Sequence, residues 1–201
     1  MKKFIITITR QFGSLGRPIA KELAELLHVE YYDRDIVDEA SKKLGMPVST
    51  ISNEEEQANI KFFSMRYPLG MGTTEKQNEI YRAEAEIIKD IAARESCIIV
   101  GRCSDYILKD REDVVNIYIY APYEARMKNC VEILNMTEDD AAKSIQQVDK
   151  ARDHYHRTYA KYLPADPNYK NIMIDSSLLG VDGTAKILAD IIKMKFGDEK
   201  N

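Results

Sequence analysis

Glycines, arginines and carboxylates are spaced in this chain so that they can hold phosphate. Gly13, Ser14, Leu15, Gly16 and Arg17 follow a β-branched run and precede an apolar pattern at helical spacing. Gly13 and Gly16 let the backbone curl so that successive N–H groups face an anion, and the helix that follows adds the positive end of its dipole. Arg17 adds a full charge at the same point. The strict phosphate-loop pattern Gly-x-x-x-x-Gly-Lys-[Ser/Thr] is not met: Gln11 stands for its first glycine, Arg17 for its lysine and Pro18 for its hydroxyl residue. A guanidinium still grips phosphate through its planar fork, but the hydroxyl that would meet magnesium is missing. Pro18 suits the first helical position and disfavours α conformation before it, which predicts Arg17 on the loop and a helix over Pro18–Leu27. An ordinary strand-to-helix turn is the plainer reading of the same glycines.

Further charged residues follow other apolar runs. Asp33, Arg34 and Asp35 follow Tyr32; Gly101, Arg102 and Asp105 follow Val100; Glu124 and Arg126 follow Ala121-Pro122. If these runs are strands of one sheet, the charges converge on one rim suited to phosphate and ribose. Gly101 permits close backbone approach beside Arg102, and Asp105 is read either as an acceptor-side carboxylate or as a helix cap or first-turn acid. In a second cluster, Asp149, Arg152, Asp153, His156 and Arg157 are expected on one broad helical face. Arg152 and Arg157 can reach a transferring phosphoryl group if that segment closes over the site, the alternative being a solvated helix. His154 and His156 lack a metal-type partner set, and no metal ligands are identified.

The elements that must carry these residues follow from periodicity. Strands are expected at Phe4–Thr9, Val29–Tyr32, Cys97–Val100, Val114–Tyr120 and Ile172–Ile174. Helices are expected at Pro18–Leu27, with Ile19, Leu23, Leu26 and Leu27 buried, and at Tyr123–Leu134, Thr137–Tyr159 and Val181–Lys195. Residues 34 to 94 read as polar helical segments broken at Met46-Pro47 and at Tyr67 to Gly72. Alternating strands and helices predict an α/β fold with a doubly wound parallel sheet, helices on both faces and ligands beyond the strands' carboxyl ends.

Composition narrows the class. The chain has 201 residues, 44% hydrophobic and 31% charged, which suits one α/β unit with inserted subdomains. A net charge of −4 argues against a nucleic-acid partner and makes any anion site local. The three cysteines form no CxxC pair, as expected for free thiols in a cytoplasmic protein. The N-terminal apolar stretch is too short and polar for a membrane span or signal peptide.

With these pieces in place, the chain resembles the cytidylate kinase-like family of P-loop nucleoside monophosphate kinases over nearly its whole length. The matching segments are Ile8 to Arg17, Tyr31 to Arg34, Ile99 to Leu108, Ala121 to Arg126 and Asp149 to Arg157. The resemblance implies a Rossmann-like P-loop core at about 1–34 and 96–201, an NMP-binding insertion at about 35–95 and a lid at about 135–170. It also implies a nucleotide-binding transferase that moves a phosphoryl group from ATP, with magnesium, to CMP or dCMP. Gly13 to Arg17 then match the phosphate loop, Asp33 and Arg102 the acceptor contacts, and Arg152 and Arg157 the lid arginines. Arg17-Pro18-Ile19 departs from the family's Gly-Lys-Thr. Two other readings stand beside the kinase: a module that binds a nucleotide or phosphometabolite without turnover, and a kinase for another acceptor. The oligomeric state is left open, a homodimer included.

Overall fold

The computed structural model describes residues 1–45 and 74–197. The sequence breaks expected at Met46-Pro47 and at Tyr67 to Gly72 lie outside the described residues. Five strands, β1 (Ile5–Arg10), β2 (Glu30–Tyr32), β3 (Cys97–Val100), β4 (Val114–Tyr120) and β5 (Ile172–Asp175), form one sheet in the order β2-β3-β1-β4-β5. Every recorded strand pairing is parallel. The helices are α1 (Gly16–Leu27), α2 (Arg34–Leu44), α3 (Thr74–Arg94), α4 (Ser104–Ile107), α5 (Tyr123–Glu132), α6 (Glu138–Tyr159) and α7 (Gly180–Phe196).

Side chains alternate across the sheet and so divide the core into two layers. Ile6, Ile8, Ile98, Val100, Ile117 and Ile119 pack beneath α1 and α7, against Ile19, Leu23, Leu27, Leu188 and Ile192. Ile5, Cys97 and Ile99 face the other way, against Ile36 and Val37 of α2 and Ile88 and Ile91 of α3. In α1 the buried stripe runs Ile19, Ala20, Leu23, Ala24 and Leu27, while Leu26 is only half-buried. A third cluster of Cys130, Met136, Ala141 and Ile145 touches Phe12 and ties α5 and α6 to the β1–α1 loop.

The expected strand over Val114–Tyr120 and the one over Cys97–Val100 are found unchanged. α6 starts where its acidic turn predicts, with the Thr137 hydroxyl accepting the Asp140 N–H at 3.2 Å. α1 departs from expectation. It begins at Gly16, so Arg17 lies in the first helical turn and Pro18 in the third position. Early positions in a helix have no intrahelical acceptor for their N–H, so a proline there loses no bond. The change of direction is taken one residue earlier, by Leu15 in the left-handed region at φ 56°.

Candidate phosphoryl-transfer site

The β1–α1 loop is a tight, heavily bonded turn. Gly13 has φ +76°, and a Cβ there would lie 2.9 Å from Cys130 Sγ and 3.0 Å from Arg126 O. A Cβ on Gly16 would meet the Arg10 Cβ at 2.8 Å. Gly13 is therefore required by conformation and by close approach, and Gly16, which has no positive φ, by close approach alone. The Ser14 hydroxyl donates to Gln11 O at 2.9 Å, Ser176 Oγ to Ser14 O at 2.7 Å, and Asn129 Nδ2 to Gly13 O at 2.9 Å. These bonds consume carbonyls. Among the described residues no protein acceptor is recorded for the N–H groups of Gly13 and Leu15, on either side of the turn at Phe12–Gly13, the arrangement an anion site needs.

Arg17 is braced from the neighbouring strand end. Its Nε donates to Asp33 Oδ2 at 2.5 Å, and the Tyr31 hydroxyl donates to the same oxygen at 3.1 Å. Burial, followed by the charge of Asp33, raises the Tyr31 pKa, so this phenol stays a donor. Arg17 thus joins the loop to Asp33, two features that the sequence placed on separate sides of a site.

Two clefts open at the carboxyl ends of the strands. One is floored by the loop, with Phe12, Gly13, Leu15 and Arg17 among its walls. The other is lined by Asp33, Gly101, Arg102, Tyr155 and His156 among others. Arg10 and Arg152 line both. The Arg152 guanidinium donates to Arg10 O at 2.9 Å, which brings α6 down onto the tip of β1. One turn earlier, Asp149 accepts the Phe12 N–H at 2.7 Å and pairs with Arg126. A single face carrying Asp149, Arg152, Asp153, His156 and Arg157 is not found. Asp149 and Arg152 turn to the loop, His156 is buried, and Asp153 and Arg157 are exposed, because five residues of helix rotate Arg157 well away from Arg152.

In the second cleft, Gly101, Arg102 and Cys103 all have positive φ, at 78°, 57° and 52°. Two non-glycine residues held this way mark local strain beside the cleft. Arg10 Nη1 fills the space where a Gly101 side chain would lie, at 2.8 Å. Behind Arg102 sits Glu84 of α3, fully buried, with Oε1 3.5 Å from the Arg102 Nη1 and Oε2 accepting the Tyr155 hydroxyl at 3.1 Å. Burial raises the Glu84 pKa, and Arg102 and Tyr155 oppose the rise. Glu84 has no counterpart in the sequence reading. The polar sequence around it looks like a solvated helix, and only tertiary contact reveals it.

Asp105 lies in the first turn of α4 and is absent from the residues lining the cleft. Its Oδ2 meets Lys170, the Tyr162 hydroxyl at 3.1 Å and His156 Nε2 at 3.3 Å. Burial alone would raise its pKa, but His156 and Lys170 hold the carboxyl down at about 2. Cys103 Sγ touches His156 Nδ1 at 3.5 Å. Burial pushes this thiol's pKa well up, and Cys97, Cys103 and Cys130 are all free and buried. Lys170 and Tyr162, which complete the cluster, were not singled out by any motif.

A parallel sheet in this order, with a glycine loop between the central strand and the first helix and arginines gathered at the strand ends, is the architecture of a P-loop kinase-type α/β protein. The chain belongs to the cytidylate kinase-like family, whose model matches residues 5–178. Among solved structures, an uncharacterised protein from Eubacterium ventriosum superposes with a TM-score of 0.70 at 24% identity, covering 98% of this chain and 100% of that one. A shikimate kinase from Bacteroides thetaiotaomicron gives 0.55 at 12% identity, covering 94% and 98%. A shikimate kinase from Acinetobacter baumannii gives 0.51 at 15%, covering 100% and 97%. Comparison with curated protein sequences finds no match. Among the described residues no helix is long and apolar enough to cross a membrane.

Proposed function

We propose that this protein is a phosphotransferase that moves the γ-phosphoryl group of ATP to CMP or dCMP. The observation that carries the reading is the pair of clefts meeting at Arg10 and Arg152. ATP phosphates would lie on the N–H groups of Gly13 and Leu15 with Arg17 beside them, and the acceptor phosphate would lie against Arg102, with Asp33 on the same side. Arg152, at the junction, is placed to meet charge developing on the transferred group. Arg157 would contribute only after α6 closes further. In this reading residues of about 35–95 form the acceptor-binding insertion and 135–170 the lid, around a core of 1–34 and 96–201. ATP as donor and three free cysteines suit a cytoplasmic enzyme.

Nucleotide phosphates fit the loop; magnesium fits the chain less well. Among the described residues no group of three or more His, Cys, Asp or Glu side chains converges to hold a metal, and Pro18 stands where the hydroxyl ligand would be. The metal would reach the site on the phosphates, where it would neutralise charge. A specific observation favours a second reading, a nucleotide- or phosphometabolite-binding module: Asp149 already occupies the Phe12 N–H and Asp33 already engages Arg17. The deciding experiment is ADP formation from ATP and magnesium with each NMP and dNMP, and with shikimate as a non-nucleotide acceptor, beside ATP calorimetry. Turnover confined to CMP or dCMP supports the proposal. ATP binding with no turnover selects the binding module, and turnover with shikimate selects another acceptor.

A further inference from the structure

α7 covers one side of the sheet with Leu188, Ile192 and Phe196 buried, yet its outer face is also apolar. Ile187, Ile191 and Met194 are 44%, 36% and 85% exposed, and Leu179, just before the helix, is 44% exposed. Gly183 continues the stripe between Leu179 and Ile187. A Cβ there would strike Leu179 Cβ at 2.8 Å, so the glycine lets Leu179 lie flat along the helix. At helical spacing these residues form one band along about 25 Å of helix.

The flank of this band has a charge order that identifies its partner. Asp182, Lys186, Asp190 and Lys193 are all exposed and lie on one side of the stripe, alternating in sign along the helix. Laid antiparallel against itself about a two-fold axis near Leu188, the flank matches throughout. Asp182 of each copy meets Lys193 of the other, and Lys186 of each meets Asp190 of the other. A parallel pairing would put this flank of the two copies on opposite sides of the seam, where these charges do not meet. The same two-fold brings Met194 of one copy over Leu179 and Gly183 of the second, and the antiparallel helix dipoles add favourably.

We propose that the outer face of α7 pairs with the α7 of a second copy of this chain in an antiparallel, two-fold contact. This contact is independent of phosphoryl transfer, since both clefts lie at the strand ends and none of these residues lines them. Sedimentation equilibrium of the full chain across the micromolar range tests it. The wild type should show a monomer–dimer equilibrium, and Ile187→Asp should weaken it by about tenfold or more. Lys186→Asp should weaken it too, by placing a carboxylate opposite Asp190 of the second copy, and the double variant Lys186→Asp/Asp190→Lys should restore it. Circular dichroism checks that each variant is folded. A wild type that stays monomeric throughout, a dimer indifferent to these changes, or a double variant no better than the single one overturns the proposal.

Discussion

Asp149 and Asp105 are two carboxylates that hold α6 in place, and they hold it differently. Asp149, near the middle of the helix, pairs with Arg126 and accepts the Phe12 N–H, with its side chain 25% exposed. Asp105 anchors the helix through His156 and meets Lys170, with both Asp105 and Lys170 side chains fully buried. Asp149 is partly open to water although its partner Arg126 is buried, whereas both members of the Asp105–Lys170 pair are buried. In the proposed lid, His156 would be the secure end of α6 and Asp149, beside the Gly13–Arg17 loop, the contact that a ligand would release. That difference gives the lid reading of this segment a physical basis, because a lid needs one secure end and one that yields to ligand.

Breaking the secure end should have the largest effect. Lys170→Met leaves the buried Asp105 carboxylate without its cation, and we expect a loss of about 3 to 5 kcal/mol in urea unfolding. The pH dependence isolates the same group. The Asp105 pKa lies below its ordinary value of 3.8, at about 2. Its contribution, roughly 2 kcal/mol, is therefore fully present above pH 4 and disappears as pH falls toward 2. Asp105→Asn should flatten the fall in stability over that window.

Next comes the arginine pair. If turnover is found, Arg152→Met should lower kcat by about 100-fold, the usual loss when one donor to a transition-state charge is removed. Arg157→Met should cost far less unless closure brings it in, so the ratio of the two effects measures how far α6 moves. Arg102→Ala should weaken CMP binding by about 1.5 to 3 kcal/mol in calorimetry. It should also lower the unfolding midpoint, because Glu84 is left buried beneath it. The smallest effect is expected at the releasable end. Asp149→Ala should cost about 1 to 2 kcal/mol in unfolding, well below Lys170→Met. Equal losses for the two would erase the distinction between the ends of the helix.

What the sequence disclosed follows the range of the forces involved. Cys97–Val100 and Val114–Tyr120 are continuous apolar runs, and strands covered on both faces read that way. The loop glycines were legible from their place between a strand and a helix, although the close approach of Cys130 and Arg126 to Gly13 was not. Arg17 was misplaced because Pro18 was assigned the first helical position, whereas Leu15 makes the turn and leaves proline in the third. Glu84, Lys170, Tyr162 and the role of Asp105 were beyond reach. Each depends on partners dozens of residues away, such as Asp105 with Lys170 and Glu84 with Tyr155, and nothing local distinguishes a buried carboxylate on a polar helix from a solvated one. The division of Arg152 from Arg157 could have been read, since a five-residue step is not a same-face spacing.

In the proposed reaction, donor and acceptor phosphates would occupy separate clefts on either side of Arg10 and Arg152. Backbone amide NMR titrations with ATP–magnesium and, separately, with CMP address it most directly. ATP should shift the amides of Gly13 to Arg17 and CMP those of Gly101 to Cys103, each leaving the other segment largely unmoved. Both ligands shifting the same segment, or neither shifting either, would contradict it.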